Sequence, residues 1–288
     1  MLKRFSILFL PLVAGLIGLS PSAQAQVFVP HVPQLDEARL EQQGLTLAQE
    51  AAQLSQFNQF ELALVRAQLA SQLVPQNAQV WGLLGSLYVQ LNQNEDAIRA
   101  LQQARSLDSE NPAVLFALGT VYFRTEDYAR SAELIEAGLE IKGDEPAAYF
   151  DLGNAYFMMK RYNDAIEAYE EAIDLDEAFW PAINNIGLVQ YEQGDVDAAV
   201  ESWQEALEVD AEQPEPQLAL AVALYGAGSQ AEALTQGEAA LQKDARYADL
   251  EFLKDNLWGD RLLAEAERFL QLPRIRDSLA RIQRSSQP

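Results

Sequence analysis

Apolar and small residues recur along the middle of the chain three or four positions apart, with polar residues between them. This spacing is typical of amphipathic α-helices, and no stretch alternates long enough to predict a β-strand. In the clearest copy, Trp81, Leu84, Gly85 and Tyr88 lie on one face of a first helix, and Ala97 begins the matching face of a second helix. The pattern therefore predicts pairs of packed helices.

The helix pair returns every 34 residues without a change of register. Small residues recur where the two helices of a pair must approach closely, and large residues recur beside them. Prolines stand near the borders between copies, where a missing backbone N–H does least harm. The recurring positions include Leu101 and Ala104; Leu115, Leu118, Gly119, Tyr122, Ser131, Ile135 and Gly138; Tyr149, Leu152, Gly153, Tyr156, Ala165, Tyr169 and Ala172; Ile183, Ile186, Gly187, Ala199, Trp203 and Ala206.

This repeat resembles the tetratricopeptide-repeat (TPR) family, whose first helix carries the pattern W-x2-L-G-x2-Y. The resemblance implies an all-α fold, a right-handed superhelical solenoid of about six helix-turn-helix units with a C-terminal capping helical pair. Terminal caps are expected because a solenoid otherwise exposes the core of its last repeat. The units are predicted at residues 44–77, 78–111, 112–145, 146–179, 180–213 and 214–247, the capping helices at 248–272 and a basic tail at 273–288.

The N-terminal region has the pattern of a secretory signal peptide. Lys3 and Arg4 precede an apolar stretch from Phe5 to Leu19, which is shorter than the roughly 20 residues of a membrane-spanning helix. Small residues follow and end at Ala25, as at a cleavage site. We expect residues 1–25 to be a cleaved signal peptide that leaves no membrane span, and a linker and an N-terminal helix extension to follow at 26–43. The alternative is an uncleaved N-terminal anchor, which the short apolar stretch disfavours.

Few residues could support chemistry. The chain has no cysteine, and its one histidine, His31, stands in the linker between Pro30 and Pro33. A nucleophile, base and orienting group cannot be assembled from these residues, and a thiolate metal site is excluded. There is no phosphate-binding loop or dinucleotide-binding turn. The sequence therefore predicts a protein that is not an enzyme and that has no cofactor and no dedicated metal site.

The chain is strongly acidic, with 43 Asp and Glu against 20 Lys and Arg and a net charge of −23. This charge disfavours nucleic acids and anionic membranes as partners. Two helices carry an acidic face made of Glu167, Glu170, Glu171 and Asp174, and of Glu201, Glu205 and Glu208. The face is either a solvated surface that keeps the protein soluble or a docking surface. A docking surface would receive a basic partner or divalent cations such as Mn²⁺ or Ca²⁺.

In the TPR family, which this sequence resembles, partners bind a concave face formed by the first helix of each repeat. Here the corresponding side chains are aromatic, apolar or amides, which suits an extended or helical peptide with hydrophobic anchors. None of them is basic, and only Arg124 lies beside them, so the carboxylate clamp of chaperone-binding TPR domains is not expected. The predicted groove residues are Phe116, Thr120, Phe123, Phe150, Asn154, Phe157, Asn184, Leu188, Tyr191, Leu218, Val222 and Tyr225.

A narrower resemblance concerns the cellular setting. The Gln-rich composition and the run from Phe179 to Gly187 are similar to TPR proteins of cyanobacteria and of the chloroplast thylakoid lumen. Members of that group assist photosystem assembly. The resemblance implies an exported scaffold or assembly factor in the periplasm or thylakoid lumen, whose protein or peptide clients offer hydrophobic anchors or basic patches. The alternative is an acidic protein that handles or delivers Mn²⁺ or Ca²⁺.

Overall fold

Helices make up every regular element of the computed structural model, which describes residues 36–285. The predicted signal peptide, most of the linker and His31 lie outside these residues. Twelve helices form six consecutive pairs, and a short C-terminal group follows. The helices are α1 Glu37–Gln56, α2 Phe60–Leu73, α3 Ala78–Gln90, α4 Asn94–Leu107, α5 Pro112–Arg124, α6 Tyr128–Ile141, α7 Pro146–Met158, α8 Tyr162–Leu175, α9 Trp180–Gln193, α10 Val196–Val209, α11 Pro214–Gly226, α12 Gln230–Lys243, a 3₁₀ turn Ala245–Ala248, α13 Leu250–Asp255, α14 Asp260–Leu270 and α15 Pro273–Ser285.

The pairs stack as the repeat pattern predicts. Within each pair the first and second helices pack along their lengths, and each second helix also packs against the first helix of the next pair. The all-α solenoid of helix-turn-helix units is therefore confirmed for the described residues. The first helix, α1, extends about two turns further toward the N-terminus than the other first helices.

Local sequence explains where the helices start and turn. Asn77 and Asn111 each accept a hydrogen bond from the backbone N–H three residues later, which caps α3 and α5. Between the two helices of every pair, one residue at a fixed register adopts positive φ: Asn58, Asn92, Glu126, Lys160, Gly194 and Gly228. The two glycines reach φ of +94° and +97°, a conformation that costs glycine little.

In repeats two to five, each helix pair is closed by a glycine on the first helix and a large residue on the second. A methyl group added to Gly153 would lie 2.5 Å from Cε1 of Tyr169, and one added to Gly187 would lie 2.6 Å from Nε1 of Trp203. Tyr169 and Trp203 are completely buried. The same relation joins Gly85 to Leu101 and Gly119 to Ile135. The glycines therefore make room for the largest side chains of the core.

Repeat six departs from this rule and receives a side chain from the C-terminal segment. Its second helix has Gly237 at the register of Trp203, and a methyl group there would lie 2.5 Å from the ring of Phe269 in α14. Phe269 is 1% exposed. The C-terminal helices thus fill the gap that repeat six leaves in its own core, as a cap should.

The predicted basic tail at 273–288 is wrong for the part that the structure describes. Residues Pro273–Ser285 form α15, which packs on α12 and buries Ile275 completely. Arg274 and Arg281 bind the carboxylate of Glu238 at 2.6 and 3.4 Å. Pro273 starts this helix rather than ending the cap, because the first position of a helix needs no backbone N–H.

Replacing Gly153 with leucine should destabilise the fold by about 1–3 kcal/mol or more, because the side chain would overlap the fixed ring of Tyr169. Urea unfolding measures the loss. Gly226→Leu is the control, since a methyl group at Gly226 would meet nothing within 4 Å. Identical unfolding curves for the two variants would contradict the packing role of Gly153.

Candidate functional site

The first helices of successive repeats lie side by side and form the walls of the predicted groove. In repeats three and four, Phe116, Thr120 and Phe123 on α5 and Phe150 on α7 remain partly exposed. Phe123 packs edge-on against Tyr128 with ring centroids 5.2 Å apart. These aromatic side chains are held in place on one side and open to solvent on the other. They form the accessible half of the groove.

The other predicted groove residues are mostly buried, and here the structure corrects the expected accessibility. α14 packs across α9 and α11, the first helices of repeats five and six, and so occupies the groove at that end. Tyr225 is partly buried and packs edge-on against Phe269, with ring centroids 5.7 Å apart. The exposed fractions are 9% for Asn154, 6% for Phe157, 1% for Asn184, 0% for Leu188, 4% for Tyr191, 0% for Leu218 and 2% for Val222.

Glu192, at the end of α9, fixes the start of α14. Its two carboxylate oxygens accept hydrogen bonds from the backbone N–H groups of Arg261 and Leu262 at 3.2 and 3.0 Å. A carboxylate is favoured at a helix N-terminus because it meets unpaired N–H groups and the positive end of the helix dipole. The guanidinium of Arg261 also lies 5.2 Å above the ring of Tyr191. The cap is thus tied to the groove by polar as well as apolar contacts.

A second polar tie is the buried carboxyl group of Glu215 in α11. Trp258 Nε1 donates to one of its oxygens at 3.2 Å, and the Tyr247 hydroxyl donates to the other at 3.4 Å. Burial raises the pKa of Glu215 from 4.5 to about 7, and the hydrogen bond from Trp258 opposes this rise. Glu215 therefore titrates near neutral pH while it holds the cap.

The amide side chains of the groove form hydrogen bonds with buried neighbours instead of facing solvent. Tyr169 donates to Asn154 Oδ1 at 2.7 Å, and Asn185 Nδ2 donates to the same oxygen at 2.9 Å. Asn184 Nδ2 donates to Asn185 Oδ1 at 3.1 Å. Buried polar groups need such partners. These hydrogen bonds join α7 of repeat four to α9 of repeat five. The predicted groove residues Asn154 and Asn184 therefore have a structural role.

A polar contact also supports the open half. Thr120 donates to Asp151 Oδ2 at 3.3 Å, linking α5 to α7. Burial raises the pKa of Asp151 to about 6, against the effects of the Thr120 hydrogen bond and the Arg124 charge. Arg124 itself donates to the carbonyl oxygen of Val89 at 2.7 Å. Arg124 therefore joins repeats two and three.

Sequence reasoning missed a small cavity between two neighbouring first helices. It has a volume of about 230 Å³ and lies between α3 and α5, with Gly82, Ser86 and Ala113 in its lining. A methyl group at Gly82 would contact only Val114, at 3.4 Å. The signal was present, because Gly82 stands at the register where repeats three and four carry Phe116 and Phe150. A glycine at the register where the next two repeats carry phenylalanine marks the space.

A second cavity of about 330 Å³ lies where the cap meets repeat four. Its apolar lining combines Phe157 with residues of the cap that were not among the predicted groove residues, including Leu257 and Trp258. Lys160 and Lys254 also line it. Neither forms a salt bridge to another residue in the described part of the chain. The cavity lies at the C-terminal end of the accessible half of the groove.

The acidic face is exposed, as expected, on α8 and α10. Its members Glu167, Glu170, Glu171, Asp174, Glu201, Glu205 and Glu208 all point to solvent. Within residues 36–285, no three His, Asp or Glu side chains are arranged to hold a metal ion, so the metal-handling alternative gains no support. Among the helices of that range, none combines the length and apolar character that crossing a bilayer requires.

Comparison with protein families finds two matches. Residues 23–178 match the family described as the TPR domain of cytochrome c-type biogenesis protein H, and residues 187–228 match the family described as TPR repeat. The first match covers more than half of the chain. No curated protein sequence shows significant similarity.

Solved structures share the fold. MamA is 24% identical, with a TM-score of 0.54 over 59% of this chain and 93% of MamA. PilF of Pseudomonas aeruginosa is 15% identical, with a TM-score of 0.61 over 77% of this chain and 98% of PilF. YrrB, described as a TPR protein with an unusual peptide-binding site, is 21% identical, with a TM-score of 0.51 over 57% of this chain and 85% of YrrB. At these identities the likeness shows the fold alone.

Glu215→Gln should make the protein more stable at neutral pH than the wild type. Because the pKa of Glu215 is raised on folding, the folded state binds a proton that the unfolded chain releases between pH 4.5 and about 7. The wild type therefore loses stability as pH rises through this window, by an amount on the order of 3 kcal/mol. Glutamine keeps an acceptor for Trp258 without the charge.

Urea unfolding at several pH values measures this difference, and Glu208→Gln on the exposed face controls for the loss of one charge. If the free energies of unfolding of Glu215→Gln and the wild type differed by a constant amount from pH 4.5 to 8, the raised pKa of Glu215 would be contradicted.

Proposed function

Because the chain belongs to the tetratricopeptide-repeat family, we propose that it is an interaction scaffold that holds polypeptide segments in the accessible half of its groove. Two observations carry this proposal. Phe116, Phe123 and Phe150 on α5 and α7 are partly exposed, and a cavity lies between α3 and α5 at Gly82. A bound segment would place an apolar side chain in the cavity and lie against the aromatic rings.

This arrangement suits peptide capture on physical grounds. Aromatic rings offer large contact areas with little loss of side-chain entropy, and a few anchors usually dominate binding. Phe150 is already held between Tyr169 and Phe179, with ring centroids 5.7 and 5.5 Å away. A fixed ring adds affinity because little freedom remains to be lost on binding. YrrB, which shares the fold, is described as having a peptide-binding site.

The cap sets a limit to the bound segment. Since α14 fills the groove in repeats five and six, a client lying across α3, α5 and α7 must end or turn near Phe157 and Trp258. The accessible groove therefore spans about three repeats, enough for a short extended or helical segment with two or three anchors. No catalytic step is part of this proposal.

We place this scaffold in an exported setting, in the periplasm or thylakoid lumen, on the evidence of the signal-peptide pattern at residues 1–25. The family matched by residues 23–178 takes its name from cytochrome c-type biogenesis, which favours a role in assembling envelope or photosynthetic complexes. The clients would then be exposed segments of such complexes. N-terminal sequencing of the native protein tests the setting, with Gln26 as the expected first residue.

Gly82→Leu should block client capture without harming the fold. The leucine side chain fills the cavity of about 230 Å³, and it replaces a helical glycine with a residue favoured by about 0.5–1 kcal/mol. We expect capture to fall about tenfold or more, the loss typical of a blocked anchor. Crosslinking and quantitative mass spectrometry of the native envelope fraction measure it. Gly226→Leu makes the same exchange at an open position, and equal capture by both variants would exclude this groove.

The triple change of Glu167, Glu170 and Glu171 to glutamine should weaken client association only at low ionic strength. These exposed carboxylates act on a partner through long-range attraction, which salt screens within about 10 Å at 0.1 M. Association rates measured across a salt series test this. If the triple variant lost its clients at all salt concentrations while Gly82→Leu kept them, the binding site would lie on the acidic face.

A further inference from the structure

One helix of the first repeat exposes an apolar strip to solvent. On α2, the exposed fractions are 59% for Leu62, 49% for Val65 and 44% for Leu69. These residues lie three and four positions apart and therefore share one face. Phe57, just before α2, is 67% exposed. We call Leu62, Val65 and Leu69 the α2 strip.

The other repeats carry mostly polar residues at the register of the α2 strip. Glu167 and Glu201 correspond to Val65, and Glu171 and Glu205 correspond to Leu69. The complete equivalents are Asp96, Arg99 and Gln103; Arg130, Glu133 and Ala137; Asp164, Glu167 and Glu171; Ala198, Glu201 and Glu205; Glu232, Thr235 and Ala239. The outer face of the other repeats thus folds without apolar residues at most of these positions.

We propose that the α2 strip joins two copies of this chain in an antiparallel, twofold-symmetric contact. The strip is symmetric about its centre, because Leu62 and Leu69 flank Val65 almost evenly. A second copy running in the opposite direction places Leu62 against Leu69 at both ends and Val65 against Val65 in the middle. Self-complementarity of this kind is what a twofold interface requires.

Charge favours a second copy at this place and opposes it on the acidic face. α2 carries one acid, Glu61, and one base, Arg66, so it is neutral. The outer face of α8, by contrast, holds five acids and no base. Two copies of a chain with net charge −23 repel one another, and the contact forms where the repulsion is weakest. Arg66 pairs with Glu50 at 3.0 Å, which leaves α2 without a free base for anionic lipid headgroups.

The size of the strip determines how strong the contact can be. Three side chains and Phe57 from each copy form a contact smaller than the interfaces of stable complexes. The dimer should therefore be reversible and concentration-dependent. Its affinity should rise with salt, since salt screens the repulsion between like charges while the apolar contact persists. Binding of a basic partner would show the opposite salt dependence.

Sedimentation equilibrium of the purified protein, at concentrations up to about 1 mM and at low and high salt, tests the proposal. We expect a monomer–dimer equilibrium for the wild type. Val65→Glu should weaken it at least about tenfold, because the dimer would bring two carboxylates into an apolar contact. Repeats four and five already carry glutamate at this register, so the fold accommodates the change. Thr235→Glu adds the same charge at the equivalent exposed position of repeat six and should dimerise as the wild type does.

A charge-exchange experiment tests the twofold geometry directly. Val65→Glu and Val65→Lys should each be largely monomeric alone, and an equimolar mixture should form heterodimers because residue 65 faces residue 65. A wild type that stays monomeric at all concentrations would overturn the proposal, as would a Val65→Glu protein with wild-type dimerisation or a dimer that weakens with salt. Gly82→Leu should dimerise normally, so the outcome is independent of the groove.

Discussion

The close approach of the two helices within each repeat is the constraint on which the rest of the fold depends. In repeats two to five, a glycine on the first helix opens space for one large side chain from the second, up to Trp203 in repeat five. Because a methyl group at these glycines would overlap that side chain, the pair tolerates little variation. The same packing fixes the spacing of the first helices, and this spacing sets the distances between the aromatic side chains of the groove.

Repeat register and helix pairs were predictable from the sequence because they depend on contacts within 34 residues. The occupation of the groove by α14 was not, since it depends on contacts between residues far apart in the chain, such as Glu192 with Leu262 and Glu215 with Trp258. One local sign existed: Gly237 leaves a gap in a series of large residues. The helical spacing of Ile275, Leu279 and Ile282 likewise indicated that α15 is a helix and not a tail.

The groove has two halves. Similar apolar side chains are buried in one half and remain partly exposed to solvent in the other. In repeats five and six, Leu188 and Leu218 are buried, so their apolar surface contributes to stability. In repeats three and four, Phe116, Phe123 and Phe150 keep part of their surface in water. The family pattern marks both sets alike. Contacts that the repeat pattern does not contain separate a core position from a contact position.

The bridge that α14 makes across α9 and α11 also has a mechanical meaning. A solenoid bends and twists through small rotations between neighbouring repeats, and each repeat contacts only its neighbours. A helix tied to two consecutive repeats removes the rotation between them, so repeats five and six move as one stiff block. Elastic deformation of the superhelix is then confined to the N-terminal four repeats. The curvature of the accessible groove can adapt to what it holds while its C-terminal end serves as a rigid anchor.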